Sequence, residues 1–203
     1  MEYFFAGVIH DIKNQLTELA LRLDRRGDAK QEKALIMKAA ARLTELLLFA
    51  RQSSGQLSAN VDSSIPEDLL QEMAAEYREL FPGLELKLDT LDAPPFWFYD
   101  TALTHLALAN AIHNACSHAR STVHLSARSN DGWLVFEIRD DGPGYPASLL
   151  QSGADDLAPV SQRGTGLGLF LARRIAALHT LENRCGDIEL ANDNGAVFRI
   201  RLP

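Results

Sequence analysis

A helical hairpin followed by a two-layer α+β sandwich is the fold class this sequence predicts, on three observations. Apolar residues over 1–52 repeat at heptad spacing. A serine-rich polar stretch, Ser53 to Ser64, then interrupts the pattern. Beyond it, amphipathic helices alternate with short hairpins marked by Asn-Asp-Gly and Asp-Asn-Gly turns.

In the first segment Phe5, Ile12 and Leu19 fall seven apart, as do Ile9, Leu16 and Leu23. The turn Arg25–Asp28 breaks the pattern, and a second seam runs through Ile36, Ala40, Leu43, Leu47 and Ala50. One hairpin cannot enclose its own apolar stripe, so residues 1–54 are expected to pair with a second copy as a four-helix bundle. Residues 55–64 read as a linker, and residues 65–203 as a second domain. There, Pro66–Phe81 is a helix with proline in its first turn. Leu84–Leu88 and Phe96–Phe98 read as strands, and Asp100–Arg120 as a helix. Ser121–Ser129 and Trp133–Asp140 pair around a turn. Gly164–His179 begins as a glycine-rich loop and continues as a helix, and Asp187–Asp193 and Ala196–Pro203 form the last hairpin.

The bulk properties narrow the function. With 203 residues and 46% hydrophobic content the chain can bury a core. A formal net charge of -7 argues against a general nucleic-acid binder. The two cysteines, Cys116 and Cys185, lack metal-ligand spacing and fit a reducing compartment. No apolar run is long enough to cross a bilayer, and the N-terminus does not read as a signal peptide. A cytoplasmic location is expected, either alone or as the cytoplasmic part of a larger sensor.

Three motifs carry chemistry. In "DDGPGY", Asp140 to Tyr145, Gly142 and Gly144 let the backbone turn sharply after a strand, and the Asp141 carboxylate can accept from an exocyclic amine such as that of adenine. An ordinary turn is the plainer reading. In "RGTGLGLFLARRIA", Arg163 to Ala176, three glycines open an apolar-periodic helix, which suits a phosphate cradle. It is not a Walker A loop, and the antiparallel context suits a Rossmann turn poorly. In "NAIHNACSHA", Asn110, Asn114 and His118 recur every four residues and share a helical face. A Mg²⁺-phosphate group would satisfy such amides; a solvated face is the alternative.

In this order the motifs resemble the N, G1 and G2 boxes of the catalytic ATPase domain of sensor histidine kinases, in the fold shared with DNA gyrase, Hsp90 and MutL. The upstream "HDIKN", His10 to Asn14, is similar to the family's H box, and "FRIRLP" to its last strand. The resemblance implies autophosphorylation of His10 by Mg-ATP, then transfer to an aspartate of a response-regulator receiver domain, in a homodimer. Asp11 would accept or orient the imidazole proton, and Asn14, one turn beyond His10, would serve phosphatase activity. Asn114 would ligate Mg²⁺ with Asn110 on the triphosphate side, and His118 would lie beside the nucleotide. Asp141 would read adenine in a pocket shaped by Gly142 and Gly144. Gly164, Thr165, Gly166, Leu167 and Gly168 would hold the phosphates, with Arg163 at their entrance.

The sequence departs from the pattern between the two glycine motifs, where Tyr145–Arg163 lacks the phenylalanine of the usual lid. It departs again at Ser117, where a basic residue is usual, and at Ala196, where a threonine is usual. Only nine residues precede His10, which suggests a fragment of a larger kinase. Two other functions fit some of these features. One is a histidine phosphotransferase or phosphatase scaffold with an inactive ATPase-like domain. The other is a different ATPase of the fold, such as a serine-directed kinase or a clamp-type chaperone, against which the His10 helix argues.

Overall fold

The structure is a computed structural model, and it describes Ala39, residues 58–151 and residues 166–203. The chain divides into two compact units, Met1–Ser58 and Ala59–Pro203. The helical hairpin expected over residues 1–54, with His10, Asp11 and Asn14, lies outside the described residues, as do Arg163, Gly164 and Thr165. The second unit holds the elements described below.

Its first helix, α1 (Pro66–Leu80), starts at a proline whose missing N–H costs nothing in the first turn. Glu67 and Asp68 sit at its positive end and Arg78 at its negative end. Leu69, Leu70, Met73, Ala74 and Tyr77 form its buried stripe at helical spacing. The second helix, α2 (Thr101–His118), is capped by Asp100, whose Oδ1 accepts from Leu103 N–H at 2.9 Å. Its buried face runs through Thr104, Ala107, Leu108, Ala111, Ile112, Ala115 and Cys116. A one-turn helix, α3 (Ala147–Gln151), follows the D-G-P-G segment, and α4 (Gly166–Leu178) follows the glycine-rich motif.

Strands β1 (Asp62–Ser64) and β3 (Trp97–Tyr99) make a small antiparallel ribbon. Five strands form the main sheet: β2 (Glu85–Asp89), β4 (Thr122–Asn130), β5 (Trp133–Asp140), β8 (Asp187–Asn192) and β9 (Ala196–Leu202). Their spatial order is β2-β4-β5-β9-β8. The sheet is mixed, because β2 pairs parallel to β4 while every other pair is antiparallel. A parallel pair needs a crossover, and α2 supplies it. A second ribbon, β6 (Thr180–Leu181) with β7 (Arg184–Cys185), stands between α4 and β8.

Helices α1, α2 and α4 cover one face of the sheet, so the core is built from their apolar stripes and alternate strand residues. Leu125, Leu134, Phe136, Ile138, Phe198 and Ile200 point inward and are fully enclosed. The opposite face carries paired charges. Glu137 lies among Arg128, Arg139 and Arg199, and Arg201 pairs with Asp187. Burial pushes the Cys116 thiol up to about 12, with the charge of Asp140 adding to the shift, so this cysteine is a packing residue and not a nucleophile.

Two local results differ from the expectation. β1 lies inside the stretch read as linker, and Asn60 N–H donates to Asp100 Oδ2 at 2.7 Å, so chain before Ser64 already belongs to this sheet-bearing unit. The β6–β7 ribbon occupies a stretch for which the hydrophobic pattern predicts no element.

Candidate functional site

The site is built where the end of β5, the C-terminal half of α2 and the β8–β9 turn meet. Alternation along β5 turns Leu134, Phe136, Ile138 and Asp140 to the same inward side. Asp140 is the buried acid of the D-D-G-P-G segment, 6% exposed. Its Oδ1 accepts from Gly142 N–H at 2.7 Å and from Ala196 N–H at 3.2 Å. No hydrogen bond engages its Oδ2 among the described residues. A buried carboxylate held by two backbone donors on one oxygen keeps the other for a ligand donor.

Asp141 does something else, which corrects the expectation that it faces the ligand. Its Oδ1 accepts from Arg120 N–H at 2.7 Å, and its Oδ2 from the Ser121 hydroxyl at 2.6 Å, with Ser121 N–H shared between the two oxygens. The Ser121 hydroxyl and backbone N–H hold the Asp141 carboxyl well below the usual carboxylate range. The side chain therefore caps the turn between α2 and β4. The signal that separates the two acids is present in the sequence: an inward residue at 138 puts 140, not 141, on the inner side of the strand.

Gly142 is required by packing. A Cβ there would collide with the carbonyl oxygen of His118 and stand 2.8 Å from Asp140 Oδ1. The loop after β5 is thus pressed against the end of α2. Gly144 adopts φ +81°, which L side chains rarely take, and lies against Asn192. The Asn192 carboxamide in turn holds Tyr145, accepting from its N–H at 2.7 Å and donating to its carbonyl at 2.9 Å.

On α2, Asn110 and Asn114 border the buried stripe and are half-buried, while His118 is exposed. Asn110 Nδ2 is one of four buried side-chain nitrogen or oxygen atoms without a hydrogen-bond partner among the described residues. Such an orphan donor marks a place where a bound group or water completes the structure. The Asn114 carboxamide likewise has no partner among the described residues. An amide oxygen is a hard donor that fits Mg²⁺, which takes few protein ligands and completes its shell with phosphate oxygens and water. No cluster of three or more histidine, cysteine or acidic side chains able to hold a metal occurs among the described residues.

The glycine motif is described only from Gly166 onward. Gly166, Leu167 and Gly168 form the first turn of α4, whose N–H groups have no earlier helical carbonyl to bind. Helix α4 packs along α2, so two motif-bearing helices lie side by side. The far ends of the same helices are joined by His179. Its Nε2 accepts from Asp100 N–H at 2.9 Å, and its Nδ1 donates to the Ile175 carbonyl at 2.8 Å. Those bonds fix the neutral ring with its proton on Nδ1, and burial lowers the His179 pKa below its ordinary value of 6.5.

Comparison with known proteins places this geometry. Residues 99–203 match the model of the histidine kinase-, DNA gyrase B- and HSP90-like ATPase family. The signal transduction histidine-protein kinase AfsQ2 of Streptomyces coelicolor is 39% identical over 101 residues, covering 47% of this chain and 18% of that protein. The sensor protein SrrB of Staphylococcus aureus is 26% identical over 98% of this chain and 37% of its own length. The chain thus spans well under half the length of these relatives. Full-length ShkA in complex with AMPPNP superposes with a TM-score of 0.69 at 20% identity, covering 100% of this chain and 46% of that one. The Acinetobacter baumannii histidine kinase AdeS gives 0.66 at 16% identity, covering 94% of both chains. These two structures share the fold. The chain belongs to the histidine kinase-, DNA gyrase B- and HSP90-like ATPase family.

Proposed function

We propose that the chain is the catalytic part of a two-component histidine kinase that binds Mg-ATP and transfers the γ-phosphoryl group to His10. The bond broken is the bridging O–P bond to ADP, and the bond formed joins an imidazole nitrogen of His10 to phosphorus. Phosphoryl transfer of this kind depends mainly on positioning and charge stabilisation. The observation that carries the reading is Asp140, with one carboxylate oxygen open, beside a glycine loop pressed to the end of α2, the helix that also bears the orphaned amide of Asn110.

In this reading Asp140 takes the adenine role that the resemblance implies for Asp141, accepting from the exocyclic amine through Oδ2. Gly142 and Gly144 form the pocket wall. Asn114 would offer its amide oxygen to Mg²⁺ and Asn110 would donate toward the triphosphate. Magnesium, when bound, neutralises charge on the phosphate oxygens. The first turn of α4, with Gly164, Thr165 and Arg163 before it, would donate to the phosphates, and His118 would edge the nucleotide. Asp11 would orient His10, and Asn14 would position water in a phosphatase reaction on the regulator's phospho-aspartate.

Residues 1–54 would form the homodimeric phosphoacceptor hairpin, with the linker shortened to the stretch before Ala59. Residues 59–203 would make up the catalytic domain, and the partner would be a receiver domain in the cytoplasm. No helix among the described residues is long and apolar enough to cross a membrane.

Incubation with γ-labelled ATP and Mg²⁺, beside His10→Ala, tests the reading. The expected result is acid-labile label that disappears in the variant. Acid-stable label, or label retained by His10→Ala, would overturn it. Absence of both label and nucleotide binding would overturn the kinase reading and leave the phosphotransfer scaffold.

A further inference from the structure

The segment "NDNGA", Asn192 to Ala196, reads as an ordinary hairpin turn, and its hydrogen bonds go well beyond one. Asn192 and Ala196 form the closing pair between β8 and β9, and Asp193 N–H donates to the Gly195 carbonyl at 2.9 Å. From this turn, contacts reach both ends of the loop after β5. At the near end, Ala196 N–H donates to Asp140 Oδ1, and Gly195 lies so close that a Cβ would collide with the Asp140 carbonyl oxygen. At the far end, the Asn192 carboxamide pairs with both backbone groups of Tyr145, 47 residues away in sequence. That pairing reproduces one step of an antiparallel ladder with a side chain in place of a strand. Gly142, Pro143 and Gly144 span the distance between these two anchors.

An asparagine that only closed its own turn would bond locally. Here both its acceptor and its donor are directed to the loop, and a Cβ on Gly144 would come within 2.8 Å of the carboxamide. The side chain must both accept and donate. A carboxylate at this position can only accept, and would face the Tyr145 carbonyl.

We propose that Asn192 is a positioning residue for the nucleotide site: it holds the Gly142–Tyr145 loop against the β8–β9 turn, so that Asp140 and the loop backbone keep the spacing a purine requires. This rests on the nucleotide-binding reading above.

The test measures Kd for Mg-ADP and for Mg-bound inorganic triphosphate at pH 7.5 with the full chain, for the unaltered protein, Asn192→Ala and Asn192→Asp, with thermal unfolding in parallel. Two modest hydrogen bonds are lost, so Asn192→Ala should bind Mg-ADP roughly three- to ten-fold more weakly. Its unfolding midpoint should stay within about 3 °C, because the side chain is exposed. Asn192→Asp should show the same loss, because a carboxylate cannot donate to the Tyr145 carbonyl. Neither variant should alter the Kd of Mg-triphosphate, which has no purine to place, whereas a general loosening of the fold would weaken both ligands. Unchanged Kd for Mg-ADP in Asn192→Ala, or an equal loss for Mg-triphosphate, would overturn the proposal while leaving nucleotide binding intact. Failure of the unaltered protein to bind Mg-ADP would overturn the nucleotide reading itself, and this inference with it.

Discussion

At its first residue β5 presents Trp133 between two arginines; at its last, Asp140, it enters a loop of glycines pressed to the end of α2. The first end is chemically closed. Arg184 donates to the carbonyls of Asp131 and Gly132 at 3.2 and 3.1 Å, and its guanidinium lies 5.7 Å from the Trp133 ring, with Arg201 at 5.6 Å. The other end is open. Asp140 uses one oxygen, and the amides of Asn110 and Asn114 on the adjoining helix have no partner among the described residues. Both ends contain a turn with glycine and an acid. Satisfaction of the polar groups tells the structural turn from the binding one, where composition does not.

The sharpest way to break this contrast is to exchange the neighbouring acids for amides one at a time. Asp140→Asn keeps an oxygen for Gly142 and Ala196 but loses the charged acceptor. Nucleotide affinity should fall roughly ten- to a hundred-fold, in line with about 1.5–3 kcal/mol for a hydrogen bond to a charged group. Asp141→Asn should leave affinity within about two-fold, since its carboxylate serves the α2–β4 turn. Isothermal titration with Mg-ADP separates the two, and equal losses would erase the distinction between them.

A smaller effect belongs to His179, a fully satisfied group at the far ends of α2 and α4. Its folded pKa lies below 6.5, so the unfolded chain takes up the proton first. Its contribution to stability is complete above about pH 6.5 and is lost as pH falls toward the folded value. Urea unfolding from pH 8 to pH 5 should show this loss. His179→Asn should flatten that part of the profile, and a flat profile in the unaltered protein would count against a buried ring held neutral.

The smallest effect is expected at the closed end of β5. Arg184→Ala should lower stability by about 0.5–1 kcal/mol and leave nucleotide affinity unchanged.

How much of the molecule is legible in the sequence depends on the strength of local signals. The Asn130–Gly132 and Asp193–Gly195 turns fix both long hairpins, because left-handed backbone at Asp131, Gly132 and Asn194 suits those residue types. The heptad-free helix from Pro66 is equally clear, since its apolar stripe, proline start and acidic first turn agree. β1 is not legible: three residues, Asp-Ser-Ser, carry no hydrophobic alternation and become a strand only by pairing with Trp97–Tyr99. Nor is the parallel β2–β4 pairing, because the side-chain pattern of a five-residue strand does not encode the direction of its neighbour. For the candidate site, the asparagine spacing and the glycines are readable as motifs. The choice between Asp140 and Asp141 needs the strand's phase, which shows only when the alternation from Leu134 is carried to the strand's end.

The β6–β7 excursion has a base as narrow as a single hydrogen bond. Gly186 N–H donates to the His179 carbonyl at 2.9 Å, and a Cβ on Gly186 would collide with the Ala176 carbonyl, so α4 and β8 are already joined across the neck of the ribbon. All six residues from Thr180 to Cys185 hang outside that joint and are exposed. Closing a longer loop across a fixed neck adds little entropy, about 0.6 kcal/mol for each doubling of length. The ribbon is therefore a port in the fold: a place where a related chain could gain or lose a recognition segment, or an experimenter could seat a fluorophore on Cys185, while both helices of the site stay where they are.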